Sequence, residues 1–242
     1  MFTGWALCRN WMNSIGMNQG IVESREGVTL AGGAPFGAAL LRRALAHAPE
    51  IVAADGGADR LLRLGVMPRA VYGDFDSISA GAQARLQGRL FLVAEQETTD
   101  FDKALRHIRA PFVLGVGFQG ARLDHGLAVL NALTRHPDRR ALILSAQEVT
   151  FLAPPEMELH LPVGSRLSLF PMAPVQGTSE GLRWPIDGLH FAPDGMIGTS
   201  NEVSAPRVRL RFDAAAMLVI LPVRSLRAVL RGFGLPSPAR GG

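Results

Sequence analysis

The stretch VYGDFDSI, residues 71–78, decides how the rest of the chain is interpreted. Two apolar residues end a predicted strand, Gly73 lets the backbone turn, and Asp74 and Asp76 follow with one residue between them. In an extended segment residues i and i+2 project to the same side, so both carboxylates are expected to face one point. Because such a pair repels itself unless a cation lies between, it predicts a site for a hard divalent ion, Mg²⁺ above all, with bound phosphates. A solvated turn is the alternative, since Asp, Gly and Ser are ordinary turn residues.

The composition describes a globular protein without obvious polyanionic or membrane partners. The 242 residues are 48% hydrophobic and 19% charged, and the formal charge of +4 is spread along the chain. No basic block suits a nucleic acid, and the longest apolar run, residues 214–223, is too short for a bilayer. The single cysteine, Cys8, excludes an internal disulfide and predicts a cytoplasmic location. Lys103 is the only lysine in a chain that otherwise uses arginine.

Short apolar runs alternate with helical patterns in the first part of the chain. This alternation predicts an open parallel α/β sheet, whose ligands bind at the carboxyl ends of the strands. The predicted strands cover residues 28–31, 51–54, 70–72, 90–93, 112–116 and 141–144. The predicted helices cover residues 36–46, 58–64, 100–108 and 123–135.

The pattern changes near residue 147, after which prolines interrupt the chain about every 10 residues, a spacing typical of an all-β sandwich or barrel. In residues 207–212, RVRLRF, arginines alternate with apolar residues, as in a strand with one buried face. The prediction is therefore a smaller all-β sandwich after an α/β domain. Its bounds are a loose tail at 1–26, an α/β domain at 27–147 and a β-sandwich domain at 148–235, with a frayed end at 236–242.

A second acidic motif, QETTDFDKAL at residues 96–105, follows the predicted strand 90–93. Thr99 is a good N-cap, and a carboxylate at Asp100 suits the first turn of a helix. Helix capping alone does not explain Lys103. A compact ammonium one turn into this helix could reach a phosphate as a point charge, where a forked guanidinium would fit less well.

A third motif, GVGFQGARLDH at residues 115–125, contains a formal GxGxxG between a strand and a helix. No acidic residue ends the next strand, so the pattern that holds a ribose in dinucleotide sites is incomplete. The glycines are better explained as letting Arg122 and Asp124 approach a phosphate–metal centre. His125 is compatible with a structural or a catalytic role. The chain has no GxxxxGK[ST] motif, which excludes a P-loop mechanism.

In combination these motifs resemble those of the thiamine pyrophosphokinase family. The matching motifs stand in order along residues 28–221: DGGA at 55–58, GDFDS at 73–77, TDFDKA at 99–104, GARLDH at 120–125, GLRWP at 181–185 and TSNE at 199–202. The resemblance implies an ATP-binding α/β domain, a thiamine-binding β-sandwich and a homodimer. It also implies transfer of pyrophosphate from ATP to the thiamine hydroxyl with Mg²⁺. The first loop, residues 32–35, fits the family loosely, and the amino-terminal tail lies outside it.

The resemblance also implies roles for individual residues. Asp74, Asp76 and Asp100 would bind Mg²⁺, and Asp124 would complete the metal site or orient the hydroxyl. The implied ATP-binding residues are Asp55, Gly56, Gly57, Gln96, Thr99, Lys103 and Arg122. The implied thiamine-binding residues are Trp184, which would stack on the thiamine rings, with Ser200 and Asn201. From the sequence alone, burial of Trp184 in the core remains an alternative.

Two other functions fit parts of the sequence. Asp74 and Asp76 could be the DxD motif of a metal-dependent glycosyltransferase, which would use a nucleotide sugar and leave ATP unspent. A non-catalytic sensor of thiamine or nucleotide would keep the fold without the reaction, although the intact acidic set disfavours it.

Overall fold

The computed structural model describes residues 22–95 and 97–235. Strands and helices alternate up to residue 144, and strands dominate the remainder. The strands are β1 (Val22–Glu23), β2 (Val28–Ala31), β3 (Glu50–Ala54), β4 (Ala70–Gly73), β5 (Leu90–Leu92), β6 (Ile108–Arg109), β7 (Val113–Val116), β8 (Ala141–Leu144), β9 (Glu148–Leu152), β10 (Glu156–His160), β11 (Arg166–Pro171), β12 (Val175–Glu180), β13 (His190–Phe191), β14 (Gly198–Glu202), β15 (Arg207–Phe212) and β16 (Met217–Pro222). The helices are α1 (Ala38–Leu45), α2 (Gly57–Arg63), α3 (Ala80–Arg85), α4 (Asp100–Arg106), α5 (Leu123–Arg135) and α6 (Leu226–Gly232), with a 3₁₀ turn at Val223–Ser225 before α6.

One ten-stranded sheet runs through both parts of the chain, in the order β14-β11-β16-β9-β8-β7-β2-β3-β4-β5. Strands β8 to β5 in this order pair in parallel, and β9 pairs antiparallel with β8. Four of the remaining strands form a second sheet, β10-β15-β12-β13, and β1 pairs with β6 in a separate two-stranded sheet. Its apolar face shares one buried cluster with β11 and β16, which completes a sandwich. The predicted fold class, a parallel α/β sheet followed by a smaller β-sandwich, is therefore confirmed.

Apart from the edge strand β5, which is only partly buried, the parallel strands are buried on both faces because helices cover each side of the sheet. Helices α1, α2 and α3 contribute Leu41, Leu61 and Ala82 to the cluster on one face. Helices α4 and α5 contribute Phe101 and Val129 to the cluster on the other face. Continuous burial on both faces explains why these strands appear in the sequence as apolar runs without alternation.

The β region, defined as residues 148–222, is joined to the parallel strands through the β8–β9 pair. The predicted boundary between residues 147 and 148 therefore falls within a hydrogen-bonded sheet, and it stays a prediction as a domain boundary. The alternation predicted for residues 207–212 is present in β15, where Val208, Leu210 and Phe212 are buried. Two of its arginines form ion pairs with β10, Arg209 with Glu158 and Arg211 with Glu156.

The tail predicted at residues 1–26 is shorter at its carboxyl end than expected. Val22 is buried, and β1 pairs in parallel with β6, so this short strand is held by packing and by backbone hydrogen bonds. Residues 1–21 and 236–242 lie outside the described residues, as do the predictions made for them. Helices α3 and α6 were not predicted, because each is shorter than two full turns and its apolar pattern is too short to recognise.

The strand order reverses between β2 and β7: β3, β4 and β5 follow on one side of β2, and β7 and β8 lie on the other. This switch point creates a crevice at the carboxyl ends of the two strands. Gly32 follows β2, and Gly117 follows β7 with a φ of 74°. A side chain on Gly32 would lie 2.5 Å from the carbonyl oxygen of Gly117, so the two loops approach only because both residues are glycine. Among the helices of the described residues, none has the length and apolar character needed to cross a bilayer.

Candidate active site

Three carboxylates meet at the carboxyl ends of β3 and β4. Asp55 follows β3, and Asp74 and Asp76 follow β4; each offers an oxygen within 4.8 Å of the others. Asp55 is 2% exposed, whereas Asp74 is partly buried and Asp76 is exposed. The acidic cluster, as these three residues are called below, is thus open to solvent on one side.

Asp74 and Asp76 converge as predicted, but not through an extended segment. Phe75 between them has a φ of 66°, in the left-handed region that few residues other than glycine adopt. The tight turn brings the two carboxylates together, and it costs backbone strain of the kind found at functional sites. Gly73 is required before the turn because a side chain there would lie 2.9 Å from Cβ of Asp55.

Asp55 was predicted as an ATP-binding residue. In the structure it is also one of the three carboxylates of the acidic cluster. Its Oδ2 accepts a hydrogen bond from the backbone N–H of Ser77 at 3.1 Å, and its buried Oδ1 has no hydrogen-bond partner in the part of the chain that the structure describes. Burial, followed by the charge of Asp100, raises the pKa of Asp55 to about 6. An unpaired buried oxygen beside two further carboxylates calls for a cation.

Lys103 lies beneath the acidic cluster and is 2% exposed. Its Nζ donates to Oδ2 of Asp74 at 3.3 Å and to Oδ1 of Asp100 at 3.4 Å. Burial opposes its charge, but Asp100 and Asp74 outweigh that effect and raise the pKa of Lys103. Asp100 is held by Lys103 and is not one of the three clustered carboxylates, whereas Asp55 is; the role of Asp100 as a metal ligand stays a prediction.

Helix α4 carries these groups, and its opposite side is anchored by Asp102. Thr99 caps the helix, as predicted, by accepting from the backbone N–H of Asp102 at 3.5 Å. The buried Asp102 side chain accepts from Nη1 of Arg135 at 2.7 Å and lies 2.9 Å from Nε2 of His136, at the end of α5. Arg106 Nε lies 3.3 Å from the same carboxylate. The sequence did not predict this anchor, because Arg135 and His136 lie more than thirty residues from Asp102. Gln96 lies outside the described residues.

A cavity of about 230 Å³ adjoins the acidic cluster at the crevice. Backbone from the loops after β2, β3 and β7 lines it, together with Asp55, Thr99, Asp100, Arg122 and His125. Gly56 lies in this lining. Gly57 lets α2 begin close to β2, since a side chain there would lie 2.1 Å from the carbonyl oxygen of Ala31. The cavity is therefore bordered by backbone groups and by both acidic and basic side chains.

Arg122 and Asp124 pair with each other at the start of α5 and are both exposed. Arg122 donates through Nε to Oδ1 of Asp124 at 3.1 Å and through Nη2 to Oδ2 at 2.5 Å. The hydrogen bond from Arg122 lowers the pKa of Asp124 to about 2. Asp124 is not among the clustered carboxylates in this arrangement, and its contribution to a metal site stays a prediction.

Trp184, Ser200 and Asn201 lie in the β region, and none of the three lines the cavity. Trp184 is 53% exposed, so it is not a core residue. Asn201 is buried and bonds both backbone groups of Trp184: Oδ1 accepts from N–H at 3.3 Å, and Nδ2 donates to C=O at 2.7 Å. Ser200 is exposed and has a φ of 62°, and its backbone N–H donates to Ser168. Asn201 thus holds the loop that presents the indole.

A switch-point crevice with a glycine-lined cavity, clustered carboxylates and a buried lysine is typical of α/β proteins that bind metal-bound phosphates. Comparison with known families narrows this class. The model "Thiamin pyrophosphokinase, catalytic domain" matches residues 41–144, and "Thiamin pyrophosphokinase, vitamin B1 binding domain" matches residues 156–217. Together the two models cover more than half of the chain, and the chain belongs to the thiamin pyrophosphokinase family.

Individual relatives support this assignment. Thiamine pyrophosphokinase 1 of Arabidopsis thaliana is 28% identical over 72% of this chain and 78% of its own. Thiamine pyrophosphokinase 1 of Oryza sativa subsp. japonica is 29% identical over 67% and 75% of the two chains. The crystal structure of yeast thiamin pyrophosphokinase covers 89% of this chain and 91% of its own, with a TM-score of 0.70 at 14% identity, a likeness of fold. Neither the glycosyltransferase nor the sensor alternative finds support in these comparisons.

Proposed function

We propose that this protein is an enzyme that transfers pyrophosphate as a unit from ATP to the hydroxyl of thiamine, giving thiamine diphosphate and AMP. The observation that carries the proposal is the acidic cluster with buried Lys103 at the switch point, in a chain whose two parts match the two domains of this family. Such a reaction needs little covalent chemistry from the protein, but it needs positioning and neutralisation of charge.

The acidic cluster has the chemistry of a magnesium site. Its ligands are carboxylate oxygens, which Mg²⁺ prefers, and Oδ1 of Asp55 is buried without a partner. Asp55, Asp74 and Asp76 would hold the ion, with Asp100 behind them through Lys103. When bound, Mg²⁺ would neutralise phosphate charge and orient the polyphosphate.

Several groups around the cavity suit the phosphates of ATP. The glycines of the β2, β3 and β7 loops let phosphates approach the backbone, and Gly56 and Gly57 belong to the second of these loops. Lys103 would act as a fixed positive charge beneath the transferred group, and exposed Arg122 is free to swing from Asp124 towards the phosphates. Thr99 borders the cavity, and Gln96 remains a proposed ATP contact.

The exposed indole of Trp184 suits the thiazolium and pyrimidine rings of thiamine. Cationic rings are attracted to an aromatic face, and the guanidinium of Arg183 already lies 5.0 Å from the centre of the indole. Thiamine would use the other face or displace Arg183. Ser200 would offer its hydroxyl, while Asn201 would act by holding Trp184 in place.

The attacking hydroxyl must reach the β-phosphorus of ATP, yet the Trp184 loop does not line the acidic cavity within one chain. We propose a homodimer, in which a second copy supplies the missing wall. Attack forms the bond between the thiamine oxygen and the β-phosphorus. It breaks the bond from the β-phosphorus to the oxygen shared with the α-phosphorus, and AMP leaves with that oxygen. Asp124 would orient the hydroxyl once Arg122 turns to the phosphates. The ligands and the single cysteine fit a cytoplasmic enzyme.

An assay with purified protein, thiamine, ATP and Mg²⁺ tests the proposal, with both products quantified. We expect equal amounts of AMP and thiamine diphosphate, and no products when EDTA is added. Formation of ADP and thiamine monophosphate would contradict transfer of pyrophosphate as a unit. Binding of both substrates without AMP would favour a sensor.

A further inference from the structure

A basic groove lies between α6 and β10, on elements that the proposed reaction does not use. It encloses about 460 Å³ and is lined by Glu158, His160, Arg224, Arg227, Ala228, Arg231 and Gly232. Gly232 lets the helix approach the strand closely, since a side chain there would lie 2.8 Å from the carbonyl oxygen of Glu158. None of these residues lines the acidic cavity.

Arg227 and Arg231 lie four residues apart on one face of α6, and Arg224 lies in the 3₁₀ turn that precedes the helix. Among the described residues, no carboxylate forms an ion pair with Arg224 or Arg231. The one carboxylate in the groove is Glu158, and its Oε2 is engaged by Nε of Arg209 at 2.9 Å. His160 Nε2 lies 3.7 Å from Oε1 of the same glutamate. The groove therefore carries an excess of positive charge.

Helix α1 adds further positive charge near Arg227. His47 is half-buried, and its Nδ1 is a buried atom without a hydrogen-bond partner among the described residues. Burial, followed by the charges of Arg227 and Arg43, lowers the pKa of His47. The charges of Arg43 and Arg227 therefore act on the same place beside the groove. Repulsion between like charges that gather in one concave place is relieved by an anion.

We propose that the basic groove binds the phosphate groups of a small di- or triphosphate ligand at a second anion site, separate from the acidic cavity. Guanidinium groups bind phosphate oxygens in pairs through their forked donors, so Arg224 and Arg231, which line the groove and form no ion pair among the described residues, match two groups of a phosphate chain. The inference does not depend on the proposed reaction.

Calorimetric titration with inorganic tripolyphosphate in EDTA tests this site. Without metal the acidic cluster repels anions, so binding under these conditions reports on the basic groove. We expect the double variant Arg224→Ala and Arg231→Ala to weaken binding by tenfold or more. The matched control removes two exposed arginines without ion pairs elsewhere, Arg63→Ala and Arg85→Ala, and should change binding less than twofold.

Three outcomes would overturn the proposal: no binding by the natural protein, unchanged binding by the groove variant, or an equal loss in the control. The variant Arg224→Lys with Arg231→Lys should retain part of the affinity, because it keeps charge but loses the forked donors. A parallel titration with thiamine diphosphate in EDTA distinguishes the source of the phosphates. Equal affinities support recognition of phosphate alone, and tighter binding of thiamine diphosphate supports a site for that product.

Discussion

Helix α4 separates two groups of charged side chains that differ in how completely their charges are paired. On one side, Asp102 is surrounded by Arg106, Arg135 and His136, so its carboxylate is fully paired. On the other side, the three carboxylates of the acidic cluster have one buried cation nearby, Lys103, which is shared with Asp100.

The difference separates a structural ion cluster from a binding site. A buried carboxylate with an excess of cationic partners stabilises the packing of α4 on α5, and it has no capacity left for a ligand. A buried carboxylate with a deficit of partners raises the energy of the folded chain until a cation arrives. Each prediction below tests one side of this contrast.

The largest effect is expected for Asp74→Asn, which removes one carboxylate from the acidic cluster. Loss of even indirect metal partners costs roughly 10–100-fold, so loss of a direct ligand should reduce kcat/KM by more than about 100-fold. The melting temperature should stay the same or rise, because repulsion is relieved. Asp138→Asn, at an exposed aspartate, is the matched control. Near-normal turnover by Asp74→Asn would remove Asp74 from the metal site.

For Asp102→Asn the expected effect has the opposite sign on stability. Breaking a buried ion pair costs ~3–5 kcal/mol, but Arg106 and Arg135 are partly exposed and can reach water. We therefore expect a loss of about 2–3 kcal/mol in the free energy of unfolding, measured by urea denaturation. If Asp102→Asn and Asp74→Asn changed stability alike, the contrast between the two sides of α4 would be wrong.

Lys103→Arg tests the cation of the acidic cluster. The lysine is almost fully buried and holds two carboxylates, and the larger forked guanidinium does not fit the same place. We expect kcat/KM for ATP to fall by roughly 10–100-fold, as for a misplaced catalytic group, while thiamine affinity changes little. Steady-state kinetics with each substrate varied in turn measure both quantities. Equal kinetics for the two proteins would make the lone lysine an accident of composition.

Trp184→Ala examines a residue that lies outside both charge groups. An aromatic face attracts a cation by ~0.5–2 kcal/mol, so thiamine affinity should fall roughly two- to thirty-fold. Trp184→Phe should retain most of it. Because Trp184 is exposed, the melting temperature should hardly move. A large drop in melting temperature with an unchanged KM for thiamine would assign the indole a purely structural role.

The smallest effect concerns pH. The pKa of Asp55 is about 6 in the folded protein, above its ordinary value of 3.8, so the folded state binds more protons than the unfolded state between these values. In EDTA, this carboxyl should therefore make the protein more stable as pH falls from 7 towards 4.5. We expect the melting temperature of the natural protein to rise by roughly 2–4 °C relative to that of Asp55→Asn across this range. Parallel curves for the two proteins would contradict this assignment.

Much of the parallel sheet was predictable because its strands are buried on both faces and their apolar runs are unambiguous. The predicted strands 28–31 and 141–144 and the helix 123–135 have the observed bounds. The acidic motifs were placed correctly at strand ends, and the lone lysine proved to be buried beside them. The local sequence was therefore sufficient to predict that the acidic residues lie at the carboxyl ends of the parallel strands.

The partners of the site residues were not predictable in the same way. Asp55 joins Asp74 because β3 and β4 pair in parallel, and the sequence gives no register for that pairing. Asp102 is paired with Arg135 and His136 at the far end of α5, and Asn201 is hydrogen-bonded to the backbone of Trp184, while its contact with thiamine stays a prediction. The left-handed turn at Phe75 could not be predicted, because the residue in that conformation is not glycine. These contacts depend on packing between segments that are distant in the chain.

The continuous ten-stranded sheet has a consequence for synthesis on the ribosome. Strand β9 pairs with β8 as soon as it emerges, but its other edge is completed only by β16, which is made more than sixty residues later. During that interval the nascent chain presents an open strand edge with the apolar sequence of β9, a template for pairing with other chains. Chains that stop before residue 217 would keep this edge, so we expect β16 to protect the edge of β9 from pairing with other chains.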